Sequence, residues 1–168
     1  MSRRDLTIKW LLYAALTLPF LFVQQYLLNG VEFFGVHPFI LPLLSATVAI
    51  FESRGESAFF AVAFGLVCDL LMPSVFPCFY ALSFLLTALL VGLIVGRVIL
   101  PGFPCALICS AIASAINGFL YLFFLVYNTN FAFTDALNLI GLELVLTLPA
   151  ALVLFPVYRW LFRRIHNE

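Results

Sequence analysis

Two histidines, four cysteines and eight carboxylates are the groups in this 168-residue chain that could carry chemistry. Their spacing supplies little of it. His37 and His166 are far apart, and no HExxH, GxSxG or phosphate-cradling glycine loop occurs, so hydrolysis and phosphoryl transfer lack their usual parts. Cys105 and Cys109 lie four apart and share a helix face, but a free thiol in an apolar run behaves as a small hydrophobe, so packing is expected of them. No catalytic, cofactor-binding or metal-binding residue is expected, and the chain reads as non-enzymatic.

The residues that do ask for an explanation are polar ones inside apolar stretches. Asp69, Glu143, Asn117, Gln24 and Gln25 each interrupt such a stretch. At about 1.5 Å per helical residue, Asp69 stands about 18 Å along its helix from Ser57, and Glu143 about 12 Å from Asp135. Four helices can thereby contribute to one polar layer in the outer half of a bilayer. A charge at that depth costs at least a few kcal/mol, so these groups must face the bundle, a cavity or a partner, or be protonated. Three uses remain open: a pocket for a small polar solute, a groove selecting a partner's transmembrane helix, and structural polar contacts within the bundle. For Asp69 the expectation is that backbone or polar groups at the start of the following loop donate hydrogen bonds to it. On that reading Asp69→Asn is mild, while Asp69→Leu weakens assembly by about 1–2 kcal/mol.

The elements that hold these residues follow from composition. With 65% apolar and 10% charged residues, and a mean hydropathy of +1.17, the chain carries more apolar side chains than a soluble core of this length hides. A bilayer core of about 30 Å takes roughly 20 apolar residues per helix. Six runs come near that length: Trp10 to Leu28, Phe34 to Phe51, Ala58 to Met72, Phe79 to Gly96, Phe103 to Tyr127 and Ala136 to Tyr158. The third is the shortest. They are apolar all round, unlike the alternating strands of a β-barrel. All eight Lys and Arg residues fall before the first run, between the second and third, between the fourth and fifth, or after the sixth, and the opposite loops carry Glu32 and Asp135. Both termini are therefore expected in the cytoplasm. The expected architecture is an all-α integral membrane protein, one polytopic domain over residues 1–168, built as a six-transmembrane-helix bundle.

Small residues mark where helices should meet. Ala106, Ser110, Ser114 and Gly118 recur every fourth residue in the fifth run, Gly92 and Gly96 repeat the spacing in the fourth, and Ala61 and Gly65 lead up to Asp69 in the third. Such stripes let another helix backbone approach closely. A neighbour within the bundle is favoured over a partner protein.

The stretch from His37 to Arg97 resembles the bacterial rod shape-determining protein MreD family: HPFILPLLSATVAIF, then AFGLVCDLLMPSVFPCFYALSFLLTALLVGLIVGR. The resemblance rests on Pro38, Gly65, Leu66, Asp69, Ala81, Leu82, Gly92, Gly96 and Arg97. The C-terminal LELVLTLPAALVLFPVYRWLFRR is similar to that family's last helix, with Glu143, Thr147, Pro156 and a basic tail in matching order. Where the family commonly has glycines after the acid, this chain has Pro73 to Pro77. The resemblance implies a non-enzymatic scaffold of cell-wall elongation in the bacterial cytoplasmic membrane. It would bind MreC and, through it, connect to MreB, RodA and the elongation transpeptidase, with lipid and no nucleic acid as further contacts and no cofactor. It also implies a bundle similar to the S-components of energy-coupling-factor vitamin transporters, and a vitamin-binding S-component is the alternative function. Those proteins tend to carry A-x-x-x-A on their first helix, and here Ala14 is followed by Leu18 and Ala15 by Pro19.

Overall fold

The computed structural model describes residues 3–30, 36–73, 76–95, 102–128 and 133–166. Among these the chain is all-helical, with no strand: α1 (Arg3–Tyr26), a short 3-10 turn (Leu28–Gly30), α2 (Leu41–Phe51), α3 (Arg54–Leu71), α4 (Phe79–Ile94), α5 (Phe103–Asn128) and α6 (Phe133–His166). Three stretches are long and apolar enough to cross a membrane, Ile8–Gly30, Phe103–Phe124 and Leu137–Arg163, while α2 and α4 are shorter apolar helices.

The short element is not the one expected. α3 runs for 18 residues and α2 for only 11. The reason lies in His37-Pro38 and Pro42. The residue before a proline is driven from helical ψ, and proline itself donates no N–H, so helix can begin only once Pro42 occupies its first turn, where that donor is not needed. Residues 36–40 enter as a non-helical lead.

α2 is the centre of the molecule. Every residue from Leu41 to Ile50 is buried, and the helix is packed by α3, α4, α5 and α6, with α1 touching it more lightly. An element surrounded on all sides needs no polar face, and LPLLSATVAIF has none. Its hydroxyls turn inward on the backbone: Ser45 Oγ donates to the Pro42 carbonyl at 2.8 Å and Thr47 Oγ1 to that of Leu44 at 2.9 Å. That satisfies polar atoms where no water reaches. The outer helices show the reverse pattern, with Leu11, Phe22, Phe59, Leu70, Leu93, Phe123, Val145 and Val153 among the exposed apolar side chains.

α3 and α4 form the tightest pair, an antiparallel hairpin. A Cβ at Gly65 would sit 2.7 Å from the Ala81 nitrogen and 2.8 Å from the Tyr80 carbonyl oxygen, so only glycine permits this approach. On α5, Ala106, Ser110, Ser114 and Gly118 are all buried. The C-terminal half of that stripe meets α6: Ser114 Oγ lies 3.4 Å from Thr147 Oγ1, and a Cβ at Gly118 would come within 2.8 Å of Ile140. Gly92 does something different. It admits the stem of the Arg54 side chain, not another backbone. Gly96 and Arg97 lie outside the described residues.

Candidate functional site

The polar residues of the apolar runs separate into helix caps and a cavity. α4 begins at Phe79 behind Cys78, whose backbone is left-handed (φ 65°) and whose side chain caps nothing. The first-turn N–H groups therefore need an acceptor from elsewhere. Asp69, in the last turn of α3, supplies it: Tyr80 N–H donates to Oδ1 and Ala81 N–H to Oδ2, each at 3.1 Å. These are the two amides an N-cap side chain would reach, and a carboxylate is further favoured there by the helix dipole. The donors lie in the first turn of α4 rather than at the start of the α3–α4 connection, where the sequence puts them. At the other end of the same hairpin, Arg54 Nε donates to the Gly92 carbonyl at 2.8 Å, in the last turn of α4. One helix thus caps both ends of its neighbour.

Gln24 does the same for α2. Ile40, which precedes that helix, offers no capping side chain. The Gln24 amide, fully buried on α1, accepts from Ile40 N–H at 2.9 Å and donates to the Pro38 carbonyl at 3.0 Å and to Asn29 Oδ1 at 3.3 Å. Gln25, one residue on, is half-buried and accepts only from Asn29 at 3.4 Å. The two glutamines therefore have unrelated surroundings.

Asn117 and Glu143 share a cavity of about 290 Å3 enclosed by the lead into α2, α4, α5 and α6. Asn117 is anchored by Ser83 Oγ, which donates to its Oδ1 at 3.1 Å, and Phe39, Tyr80 and Tyr121 contribute aromatic walls. Asp69 reaches this region only through the backbone of Tyr80. The single polar layer of the sequence reading is thus several smaller arrangements, because Asp69 and Gln24 answer backbone groups at helix starts while Asn117 pairs with Ser83 and Gln25 with Asn29.

A second polar cluster went unnoticed in the sequence. Lys9 is 2% exposed; its Nζ donates to Glu52 Oε2 at 2.5 Å and to Glu56 Oε2 at 3.0 Å, and Tyr13 Oη donates to Glu52 Oε1 at 2.8 Å. Burial pushes the Glu52 carboxyl above its ordinary value, against the pull of Lys9 and Tyr13, while the hydrogen bond from Lys9 holds Glu56 below its own. By sequence Lys9 reads only as a loop cation. The signal available was Glu52 and Glu56 spaced four apart in the tight turn that α1 must pass. The Tyr158 ring stacks on Tyr13 at 6.2 Å between centroids, and its buried hydroxyl has no partner among the described residues.

Between α1 and α3, which meet through Trp10, Tyr13, Phe59 and Phe60, runs an apolar groove of about 280 Å3 lined by Trp10, Ala14, Leu18, Phe60, Ala63 and Val67. Cross-capped helices around a buried central helix, with an apolar exterior, define an all-helical protein of membrane-spanning character. Among the described residues, no group of three or more His, Cys, Asp or Glu side chains could hold a metal ion. No protein-family model, curated protein or solved structure matches the chain.

Proposed function

We propose that the chain is a polytopic scaffold of bacterial cell-wall elongation, of the MreD kind, crossing the cytoplasmic membrane six times with both termini inside. It acts without catalysis, by holding the membrane helix of MreC and so positioning the elongation machinery around MreB, RodA and its transpeptidase. One observation carries the reading. Gly65, Asp69 and Ala81, three of the residues on which the resemblance rests, meet at a single point, where α3 crosses α4 and caps it. A motif whose members converge on one contact is under a shared geometric demand, which apolar composition alone does not create. The paired basic residues Arg54 and Lys9 at the opposite end of the hairpin favour placing that end in the cytoplasm.

For the partner helix we favour the α1–α3 groove. It has aromatic walls from Trp10, Phe59 and Phe60, small residues Ala14 and Ala63 for close approach, and no charged lining residue. Depletion in a rod-shaped host should round the cells and disperse their elongation proteins, and cysteines at Ala14 and Ala63 should cross-link to the MreC transmembrane helix. Unchanged shape, with a growth defect cured by feeding one vitamin, would instead select the energy-coupling-factor S-component alternative.

A further inference from the structure

We propose that the cavity at Glu143 binds a small alkylammonium group, of the kind carried by an ethanolamine lipid headgroup or by the free amine. The proposal stands apart from the scaffold reading, since none of the residues lining this cavity lines the α1–α3 groove.

The cavity sets a carboxyl group and an amide among aromatic rings. Glu143 lies on its wall, His37 is also part of the lining, and the Glu143 backbone carbonyl accepts from Thr147 Oγ1 at 2.8 Å. No Lys or Arg lines the space. Asn117 is fixed by Ser83 through its Oδ1 and lies on the same wall. Phe39 and Tyr80, with ring centroids 5.7 Å apart, and Tyr121 supply π-faces. A carboxylate beside aromatic faces attracts a cation twice over, by charge and by the ring quadrupoles. An anion would be repelled by Glu143. An acyl chain would offer neither Glu143 nor Asn117 a hydrogen bond in exchange for the water it displaces, which is costly. At about 290 Å3 the space falls at the lower limit of the roughly 300–1,000 Å3 of ligand pockets, which suits a headgroup and not a larger solute.

The test uses the full chain, purified in detergent for titration and in nanodiscs of mixed phosphatidylethanolamine and phosphatidylglycerol for native mass spectrometry. Ethanolamine should bind saturably, and ethylene glycol and acetate should not. Glu143→Gln should weaken ethanolamine at least tenfold and Tyr121→Leu severalfold, while Leu93→Ala, on the exposed face of α4, leaves it unchanged. Each variant is first checked for an unaltered size-exclusion profile. Retained phosphatidylethanolamine that free ethanolamine fails to displace assigns the site to lipid, and displacement assigns it to the soluble amine. If no ammonium probe binds, if acetate binds equally, or if binding survives Glu143→Gln, the proposal is wrong.

Discussion

Replacing Asp69 gives the sharpest test of the cross-capping that organises α3 and α4. Both of its oxygens accept from backbone amides, Tyr80 and Ala81, at 3.1 Å. Asp69→Leu therefore orphans two N–H groups in the first turn of a helix whose own preceding residue, Cys78, cannot cap. Loss of a capping side chain costs about 0.5–2 kcal/mol, and a hydrogen bond to a charged group contributes about 1.5–3, so the expected loss is about 2–4 kcal/mol. Asp69→Asn is where geometry changes the expectation. An amide has one accepting oxygen, so Asn turns an NH2 toward one of the two donors, and about half of the loss should appear instead of a mild effect. The chain carries its own reporters: Cys68, Cys105 and Cys109 are buried thiols and Cys78 is exposed. Heating in detergent with a fluorogenic thiol dye, on a Cys78→Ser background, should show the midpoint falling in the order wild type, Asn, Leu. Asp69→Leu and Asp69→Asn melting together with wild type would mean that these two hydrogen bonds contribute nothing, and the capping argument would fail.

Three further outcomes are expected. Lys9→Met strands the buried Glu52 carboxylate and should destabilise by about 3 kcal/mol, with much of that recovered in Lys9→Met/Glu52→Gln, as a double-mutant cycle in thermal unfolding would register. The same variant should change the pH response. Glu56, held below its ordinary value, stabilises above the usual carboxylate range and loses that contribution in acid, whereas Glu52, held above, stabilises when protonated and loses that as pH rises; removing Lys9 leaves the second effect alone, so Lys9→Met should become more stable from pH 7 to pH 5. Gly65→Ala and Gly118→Ala should each cost about 1–3 kcal/mol by overpacking, Gly65→Ala the more because its new methyl meets backbone at Ala81 whereas that at Gly118 meets the movable Ile140 side chain; equal unfolding midpoints would contradict the close approach. Cys78→Gly should stabilise by about 0.5–1 kcal/mol, since glycine adopts the left-handed backbone without penalty, and a lowered midpoint would count against strain at that position.

By itself the sequence determined the helical character, the starts of α4 and α5 at Phe79 and Phe103, and the interior helix faces carrying Gly65 and the stripe from Ala106 to Gly118. These follow from local rules: long apolar runs leave backbone polar groups no partner but their own helix, and small residues are left where backbones must touch. What only the tertiary structure decided was which polar group answers which. Asp69 caps α4, Gln24 caps the lead into α2 across 16 residues, and Lys9 meets Glu52 across 43. Gln24 and Gln25, adjacent and alike in sequence, end in a buried cap and at a half-exposed edge, because successive helical residues point about 100° apart and only one of them faces α2. The shortening of α2 is legible in Pro38 and Pro42 once the helix is seen, but hydropathy averages over prolines, and a window of apolar residues does not distinguish a helix from the irregular lead that precedes it. Pairing depends on which ends of which helices the packing brings within about 3 Å, and that distance is set by the whole bundle, not by any one segment of the chain.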